Sequence, residues 1–223
     1  MIKSNTKGSL IVLSGPSGAG KGTICNEVLN NNKNVWLSIS CTSRKPRNGE
    51  IEGVNYYFLS KDEFESKIEN NGFLEYAIYN DNYYGTPRDK IKEKLDQGID
   101  VILEIEVQGA LKVKELVKEA IFIFILPPSM EELKARLKNR GTETEEKILK
   151  RFKTAYNEIN EINKYNYVVV NDKIDSAVSK INAILLAEKC RADRIEEVYL
   201  NNKEEEIHEN LIDKEFVNNR IEI

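Results

Sequence analysis

The sequence predicts an α/β fold in which helices flank a parallel β-sheet. A short β-rich run at 10–14 opens the pattern, and three further apolar runs follow at 101–105, 121–126 and 167–171. The three later runs do not alternate between apolar and polar residues, which is typical of parallel strands buried on both faces. Helical patterns separate the runs, and this alternation indicates βαβ units with right-handed crossovers.

The composition is that of an ordinary globular protein. The chain has 223 residues, 40% of them hydrophobic and 31% charged, which suits one α/β domain with inserted pieces or at most two small domains. A formal net charge of -4 argues against a nucleic-acid-binding role. No apolar stretch approaches the roughly 20 residues that cross a bilayer, so we expect no membrane partner.

The cysteines indicate a reducing compartment. Cys25, Cys41 and Cys190 are widely spaced and form no C-x-x-C pair, which gives neither a zinc site nor a disulfide framework. The first apolar run is too short for a signal peptide. We therefore expect a cytoplasmic protein.

The first strand leads into the glycine-rich loop GPSGAGKGT. This loop matches the phosphate-binding pattern G-x-x-x-x-G-K-[ST] at Gly15, Gly20 and Lys21, and a helical pattern follows it as that motif requires. Backbone N–H groups and the helix N-terminus bind phosphate in such loops, and the lysine reaches the β- and γ-phosphates. The alternative is a tight turn whose glycines serve backbone geometry alone. The expected nucleotide contacts are Gly15, Pro16, Ser17, Gly18, Ala19, Gly20, Lys21, Gly22 and Thr23.

The loop departs from the pattern at its last position. Gly22 stands where a hydroxyl residue would bind Mg²⁺, and Thr23 follows one residue late. Neighbouring helical residues differ by about 100° around the axis, so Thr23 cannot simply replace the missing hydroxyl.

The segment 35–86 predicts an antiparallel-rich insertion with one short helix. Ser60 and Glu63 form a capping box at the start of that helix. The next helix, over 88–97, is expected to begin with Thr86 as its N-cap and Pro87 at its first position.

A second phosphate site is indicated within residues 40–58. Arg44 and Arg47 lie in a loop rich in proline and glycine, and a close pair of arginines can hold one dianionic phosphate. The Tyr56 hydroxyl can donate a hydrogen bond to the same phosphate, and Ser40 and Glu50 add polar groups nearby. The alternative is a solvated surface loop.

The same stretch resembles the guanylate kinase family. Residues Thr42 through Phe58 match the signature T-[ST]-R-x-x-[KR]-x-x-[DE]-x-x-G-x-x-Y-x-F at every fixed position. The stretches FLEYA, NYYGT, VQGA, FILPPS, RGTETEE and VVVND are similar to the same family in the same order, and the resemblance covers roughly 8–192. It implies a P-loop core at 1–34 and 87–194, a GMP-binding insertion at 35–86, a helical lid at about 136–151 and a charged C-terminal extension at 195–223.

The resemblance also implies an activity, transfer of the γ-phosphoryl group of ATP to GMP or dGMP, with Mg²⁺ as cofactor and ATP and GMP as the small-molecule partners. Glu75 would accept hydrogen bonds from guanine N1–H and the exocyclic amine, whereas adenine presents an acceptor at that ring nitrogen. The implied GMP-binding residues are Ser40, Arg44, Arg47, Glu50, Tyr56, Glu75, Tyr84, Thr86 and Glu104. The implied catalytic residues are Lys21, Arg44, Arg136, Arg140 and Arg151, which would spread the charge of the transferring group. Asn171 resembles a residue near the donor adenine.

Magnesium coordination is the open point of this resemblance. The family usually has aspartates before the QG of VQGA, whereas this chain has Glu104 and Glu106. Our hypothesis is that phosphate oxygens and waters hold Mg²⁺ and that Glu104 or Glu106 reaches those waters.

Two other functions stay open at this point. One is another nucleoside monophosphate kinase, such as an adenylate-kinase-like enzyme, whose loop often reads G-K-G-T. The other is a non-catalytic guanylate-kinase-like binding module, although such modules lack an intact phosphate loop. The sequence leaves the oligomeric state undetermined.

Overall fold

A computed structural model describes residues 2–3, 7–79, 81–138, 145–194 and 197–198. The chain divides into two compact units, Lys7–Ala183 and a smaller one formed by Met1–Thr6 with Ile184–Ile223. The strands are β1 (Ile2–Lys3), β2 (Leu10–Ser14), β3 (Val35–Leu37), β4 (Cys41–Thr42), β5 (Tyr57–Phe58), β6 (Phe73–Tyr79), β7 (Asn82–Pro87), β8 (Asp100–Glu104), β9 (Ile121–Leu126), β10 (Tyr167–Val170) and β11 (Glu197–Val198).

The described residues also form α-helices, most of which lie between strands in the chain. They are α1 (Lys21–Asn31), α2 (Lys61–Glu69), α3 (Arg88–Asp96), α4 (Val107–Leu116), α5 (Met130–Lys138), α6 (Glu145–Ile159) and α7 (Ile174–Lys189). Short 3₁₀ turns follow at Ile162–Lys164 and Ala192–Arg194. None of these helices is long and apolar enough to cross a membrane.

The core of the larger unit is a five-stranded parallel sheet in the order β10-β9-β2-β8-β3. Its central strand β2 is buried along its whole length, and Ile11, Val12 and Leu13 have no exposed surface. Continuous apolar runs are needed here because helices pack against both faces of the sheet. The predicted parallel α/β architecture is therefore confirmed.

The segment 35–86 contributes to two sheets. Val35–Leu37 pairs in parallel with β8 and so belongs to the core sheet, at its edge. The four remaining strands form a separate sheet in the order β5-β4-β7-β6, in which β7 is antiparallel to both of its neighbours and β4 is parallel to β5. The antiparallel-rich part thus begins after Leu37. A strand of three residues is too short to show a pattern of its own in the sequence.

A small aromatic core stabilises this second sheet. Phe64 of α2 has no exposed surface and stacks on Phe73 and Tyr83, with ring centroids 4.3 and 5.0 Å away. The predicted capping box begins α2, because Ser60 Oγ accepts from Glu63 N–H while the Glu63 carboxylate accepts from Ser60 N–H. This sheet therefore has its own packing.

The start of α3 differs from the sequence prediction. Pro87, with φ of −71°, is the N-cap residue, and the Thr86 side chain makes no capping bond. The Thr86 hydroxyl instead donates to Glu75 Oε1 at 2.6 Å. A local pattern could not reveal this competing partner on the neighbouring strand.

The segment expected to form the lid is described only in part. Helices α5 and α6 pack through the buried side chains Leu133, Leu137 and Ala155. Residues 139–144, which include the predicted site residue Arg140, lie outside the described residues.

The smaller unit contains part of the expected extension at 195–223. Strand β11 pairs with β1 in antiparallel fashion. The Glu188 carboxylate is 2% exposed and forms ion pairs with Arg191 and Arg194 at 3.4 and 3.1 Å. The rest of the extension lies outside the described residues.

Candidate active site

The glycine loop joins the end of β2 to the start of α1. Gly15 can only be glycine, since a Cβ there would lie 2.2 Å from the carbonyl oxygen of Ile125 on the adjacent strand β9. The loop is therefore pressed against the C-terminal edge of the parallel sheet, where ligands of open α/β sheets bind.

Lys21 holds the loop in a closed turn. Its Nζ donates to the backbone oxygens of Gly15 and Pro16 at 2.6 and 3.2 Å. Burial lowers the pKa of Lys21, while the nearby carboxylates Glu104, Glu158 and Glu106 act in the opposite direction. The amine thus lies within the loop, at the position where the motif places its phosphate-binding cation.

The loop forms one wall of a cavity of about 380 Å³. Carboxylates form much of the other wall, and burial is the main reason that the pKa values of Glu104 and Glu158 are raised. The residues around the cavity are Gly15, Ser17, Gly18, Gly20, Lys21, Gly22, Thr23, Glu104, Ile105, Glu106 and Glu158. A cavity with a lysine, loop N–H groups and acidic side chains suits a phosphate chain together with a cation.

Gly22 faces the carboxylate of Glu104. A Cβ placed on Gly22 would lie 3.5 Å from Glu104 Oε1 and 3.6 Å from Oε2, which is ordinary van der Waals contact. The carboxylate therefore stands beside the place where the motif normally puts a hydroxyl side chain. Thr23 also lines the cavity, one residue further along α1.

Asn171 supports the loop from behind. Its Nδ2 donates to the backbone oxygen of Ala19 at 2.8 Å, and the residue is only 5% exposed. Gly20 has φ of +88°, and a Cβ there would lie 2.4 Å from the same Nδ2. The structure thus places Asn171 against the loop backbone.

Two of the predicted lid arginines are described, and both lie near the loop. Arg151 Nη2 donates to Ser17 Oγ at 2.6 Å. Arg136 Nη2 donates to the backbone oxygen of Asn171 at 3.2 Å, and its Nε donates to Glu132 at 2.9 Å. Arg151 thus contacts the phosphate loop directly, and Arg136 contacts Asn171, whose side chain binds the loop backbone.

Arg44 lies at the centre of the segment that the sequence predicts to bind a second phosphate. Its Nη2 forms a 2.8 Å ion pair with Glu50 Oε1, and its guanidinium lies 5.5 Å from the centroid of the Tyr56 ring. Hydrogen bonding to Glu50 is the main reason that the pKa of Arg44 is raised, and the nearby Tyr84 hydroxyl acts in the same direction. The same bond to Arg44 lowers the pKa of Glu50.

Glu50 connects the two arginines of this site. While Oε1 pairs with Arg44, Oε2 accepts from the backbone N–H of Arg47 at 2.7 Å. The Arg47 side chain is exposed. The Tyr56 and Tyr84 rings meet edge to face, with centroids 5.9 Å apart. The Arg44 guanidinium and the two phenol rings thus lie together, and Glu50 joins Arg44 to the backbone of Arg47.

Glu75 and Thr86 form a polar pair on the same sheet. Burial is the main reason that the pKa of Glu75 is raised, and the Thr86 hydrogen bond acts in the opposite direction. Gly109 of α4 leaves room beside it, since a Cβ there would lie 3.5 Å from Glu75 Oε2. Ser40 precedes β4, and its backbone oxygen accepts from Tyr57 N–H at 2.9 Å.

Sequence reasoning missed Glu158 as a site residue. The signal was its position seven residues after Arg151, which is about two helical turns and places both on one face of α6. The link to the phosphate loop depends on tertiary packing.

Comparisons with known proteins identify the family. A family model described as guanylate kinase matches residues 7–188. The chain belongs to the guanylate kinase family. It is 64% identical to the guanylate kinase of Clostridium tetani (strain Massachusetts / E88), over 93% of this chain and 99% of that protein. It is 58% identical to the guanylate kinase of Caldanaerobacter subterraneus subsp. tengcongensis, over 90% of this chain and 98% of that protein.

A solved structure of a guanylate kinase, from Anaplasma phagocytophilum, shares this fold. It superposes with a TM-score of 0.68 at 36% identity, over 87% of this chain and 92% of that one. The resemblance and the fold class predicted from the sequence are therefore confirmed, and the guanylate kinase family identifies the chain as an ATP-dependent kinase. The comparisons give no support to the adenylate-kinase-like or the non-catalytic alternative.

Proposed function

We propose that this chain transfers the γ-phosphoryl group of ATP to GMP, and also to dGMP, and releases ADP and GDP or dGDP. One observation carries the proposal. Two separate clusters with the chemistry to bind phosphate, around Lys21 and around Arg44, occur in one compact unit, and a carboxylate suited to guanine lies on the sheet beside the second cluster. A kinase with two nucleotide substrates needs this combination.

On the acceptor side, Arg44, Arg47, Tyr56 and Tyr84 bind the GMP phosphate. Arg44 is already oriented by Glu50, so little side-chain entropy is lost when a phosphate binds. Tyr84 and Thr86 are two residues apart on β7 and so project from the same face of the strand. That face would carry the phosphate contact and the base contact together. Ser40 adds a polar group to the base site.

Glu75 determines the specificity for the base. An ionised carboxylate accepts from the N1–H and the amine of guanine, while Thr86 keeps one carboxylate oxygen in position. AMP would leave the carboxylate without those donors, at a cost of about 1–3 kcal/mol or more for the buried group.

On the donor side, the loop 15–23 and Lys21 hold the ATP phosphates. Arg136, Arg140 and Arg151 would neutralise the charge that spreads over the transferring phosphoryl group. The attacking oxygen of GMP is already ionised, so positioning and charge neutralisation suffice without a strong base.

The residues of the cavity fit a magnesium ion. The Glu104 carboxylate faces Gly22, where the motif usually has a hydroxyl, and Glu106 lines the same cavity. Carboxylates suit Mg²⁺, which keeps several waters and binds phosphate oxygens. When bound, the ion would neutralise phosphate charge, and Glu104 or Glu106 would hold its waters.

We also propose a cytoplasmic location. Cys25, Cys41 and Cys190 are free thiols, which suits a reducing compartment.

A coupled assay that detects ADP would test the proposed function. With ATP and Mg²⁺ present, GMP, dGMP, AMP, UMP and IMP are each titrated. We expect GMP to have the highest kcat/KM, with dGMP next. Faster use of AMP than GMP would overturn the acceptor assignment, and ATP turnover that none of the five stimulates would overturn the kinase assignment.

A further inference from the structure

The Thr42 hydroxyl connects the loop that carries Arg44 to strand β7. Its Oγ1 donates to the backbone oxygen of Tyr83 at 2.9 Å and accepts from the backbone N–H of Arg44 at 3.2 Å. A threonine hydroxyl that accepts from the N–H two residues later forms an ST-turn, which gives the backbone an alternative to a strand. Thr42 is the last residue of β4 and has no exposed surface. Water therefore does not compete for these two bonds.

The residues that Thr42 joins lie beside the groups that are proposed to bind the GMP phosphate. Tyr83 directly precedes Tyr84, and Thr42 itself pairs with Tyr84 across the sheet. The Arg44 guanidinium lies 5.5 Å from the centroid of the Tyr56 ring. That ring in turn meets the ring of Tyr84 edge to face. One buried hydroxyl thus connects the backbone of Arg44 to the strand of Tyr84.

The neighbouring Ser43 makes a different connection. Its N–H donates to the Tyr83 backbone oxygen at 3.1 Å, and its Oγ accepts from the Tyr83 N–H at 2.8 Å. These two bonds hold β4 to β7 without involving an atom of Arg44. The Arg44 side chain is held separately, by the 2.8 Å bond to Glu50. The Thr42 bonds therefore act on the backbone from which that side chain projects.

We propose that Thr42 is a positioning residue for the GMP phosphate. It fixes the backbone of Arg44 against β7, so that the Arg44 guanidinium and the Tyr84 hydroxyl reach one phosphate group together. Two groups that are already held at a suitable separation lose little conformational entropy when one ligand binds both. Thr42 is buried and exerts this effect through Arg44 and Tyr84. This inference rests on the proposed binding of GMP beside Arg44.

The variant Thr42→Val tests this role, because it keeps the shape of the side chain and removes both hydrogen bonds. Binding of GMP and of guanosine is measured by NMR titration without ATP. We expect Kd for GMP to rise about three- to tenfold. Kd for guanosine, which has no phosphate, should stay within about twofold of the wild-type value. Thr42→Ser keeps the hydroxyl and should restore GMP binding. Equal weakening of both ligands, or of neither, would overturn the proposal.

A double-mutant cycle tests whether Thr42 acts through Arg44. In an Arg44→Ala background, which lacks the guanidinium, we expect Thr42→Val to change Kd for GMP by less than about twofold. A full effect in that background would overturn the proposal. Tyr83→Phe is the matched control, since it removes the 2.9 Å hydrogen bond to Glu65 and keeps the Tyr83 backbone. It should lower the free energy of unfolding without weakening GMP binding.

The wild-type chain provides a test that does not depend on the folding of a variant. Without nucleotides, the Arg44 amide should exchange with solvent more slowly than the Lys45 amide. The Arg44 amide donates to the Thr42 hydroxyl, whereas the structure describes no hydrogen bond from the Lys45 amide. Equal exchange rates would overturn the proposal. Phosphorylation of GMP by the wild type is measured separately, so an inactive wild type would contradict the proposed function and leave the exchange result as the test of this inference.

Discussion

Thr86 donates a 2.6 Å hydrogen bond to Glu75 across a β-bulge. Phe73 pairs with Pro87 and Tyr76 with Gly85, so two residues of β6, Leu74 and Glu75, lie opposite the single residue Thr86. Bulges change the direction of a side chain beside a functional site. Here Leu74 remains in the apolar core, while Glu75 is directed to the Thr86 hydroxyl.

Replacement of Glu75 by Gln should weaken the recognition of guanine. The amide presents donors where guanine also has donors, so we expect KM for GMP to rise about tenfold or more, with KM for ATP nearly unchanged. Steady-state kinetics at saturating ATP measure this effect. Glu69→Gln, an exposed acid at the end of α2, is the control, and equal effects of the two changes would contradict the assignment.

The raised pKa of Glu75 predicts an acid limb in GMP binding. Burial shifts the pKa above its ordinary value of 4.5, and guanine needs the ionised form. Binding should therefore be complete above the raised pKa and be lost as the pH falls through it. As the pH is lowered, we expect KM for GMP to begin to rise at a higher pH than it would if Glu75 had the pKa of a solvent-exposed glutamate. The pH dependence of KM for GMP is compared between wild type and Glu75→Gln, because ionisation of GMP itself affects both proteins equally. Parallel pH profiles of the two proteins would contradict the prediction.

Removal of the Arg44 side chain should affect the acceptor site alone. Arg44→Ala removes the guanidinium that Glu50 orients, so we expect KM for GMP to rise about tenfold or more while ATP binding is nearly unchanged. Lys45→Ala removes an exposed positive charge from the adjacent position and should change KM little. An equal loss of ATP and GMP binding in Arg44→Ala would show a structural role instead.

Two glycines with the same backbone conformation should differ in their tolerance of alanine. Gly20 and Gly49 have φ of +88° and +86°, so alanine costs about 1–2 kcal/mol at either position. A Cβ on Gly20 also meets Asn171 at 2.4 Å, whereas nothing lies within 4 Å of a Cβ on Gly49. Gly20→Ala should therefore have a lower free energy of unfolding in urea than Gly49→Ala. We expect a difference of about 1 kcal/mol or more, because Asn171 would lose its hydrogen bond to the Ala19 backbone oxygen. Equal destabilisation would show that Asn171 moves aside freely.

Loss of the Glu104 charge should increase the requirement for magnesium. If Glu104 holds the waters of the ion beside Gly22, Glu104→Gln raises the Mg²⁺ concentration for half-maximal activity several-fold, by about 1 kcal/mol in binding. Glu115→Gln, which changes an exposed acid of α4, should not. A rise in KM for GMP with an unchanged magnesium requirement would place Glu104 at the base instead.

The glycine-rich loop, the loop that carries Arg44 and Arg47, and most of the secondary structure could be predicted from the sequence. Each depends on residues that are only a few positions apart in the chain. Strand β2 has the predicted bounds, and the capping box at Ser60 and Glu63 depends on residues three apart. Ser129 and Glu132, which have the same spacing at the start of α5, form only half of such a box. The Glu132 N–H donates to Ser129 Oγ, but its carboxylate accepts from Arg136. Local patterns thus predict best where no distant or stronger partner competes.

By itself the sequence determined the fold class and the family, and it predicted two phosphate-binding segments, since each of these signals comes from residues close together in the chain. Tertiary structure alone decided which side chains meet. The bulge that pairs Glu75 with Thr86, the approach of Glu104 to Gly22 and the hydrogen bond from Arg151 to Ser17 join residues that are 11, 82 and 134 positions apart in the numbering. Such contacts depend on how strands register and helices pack, and no local spacing specifies that.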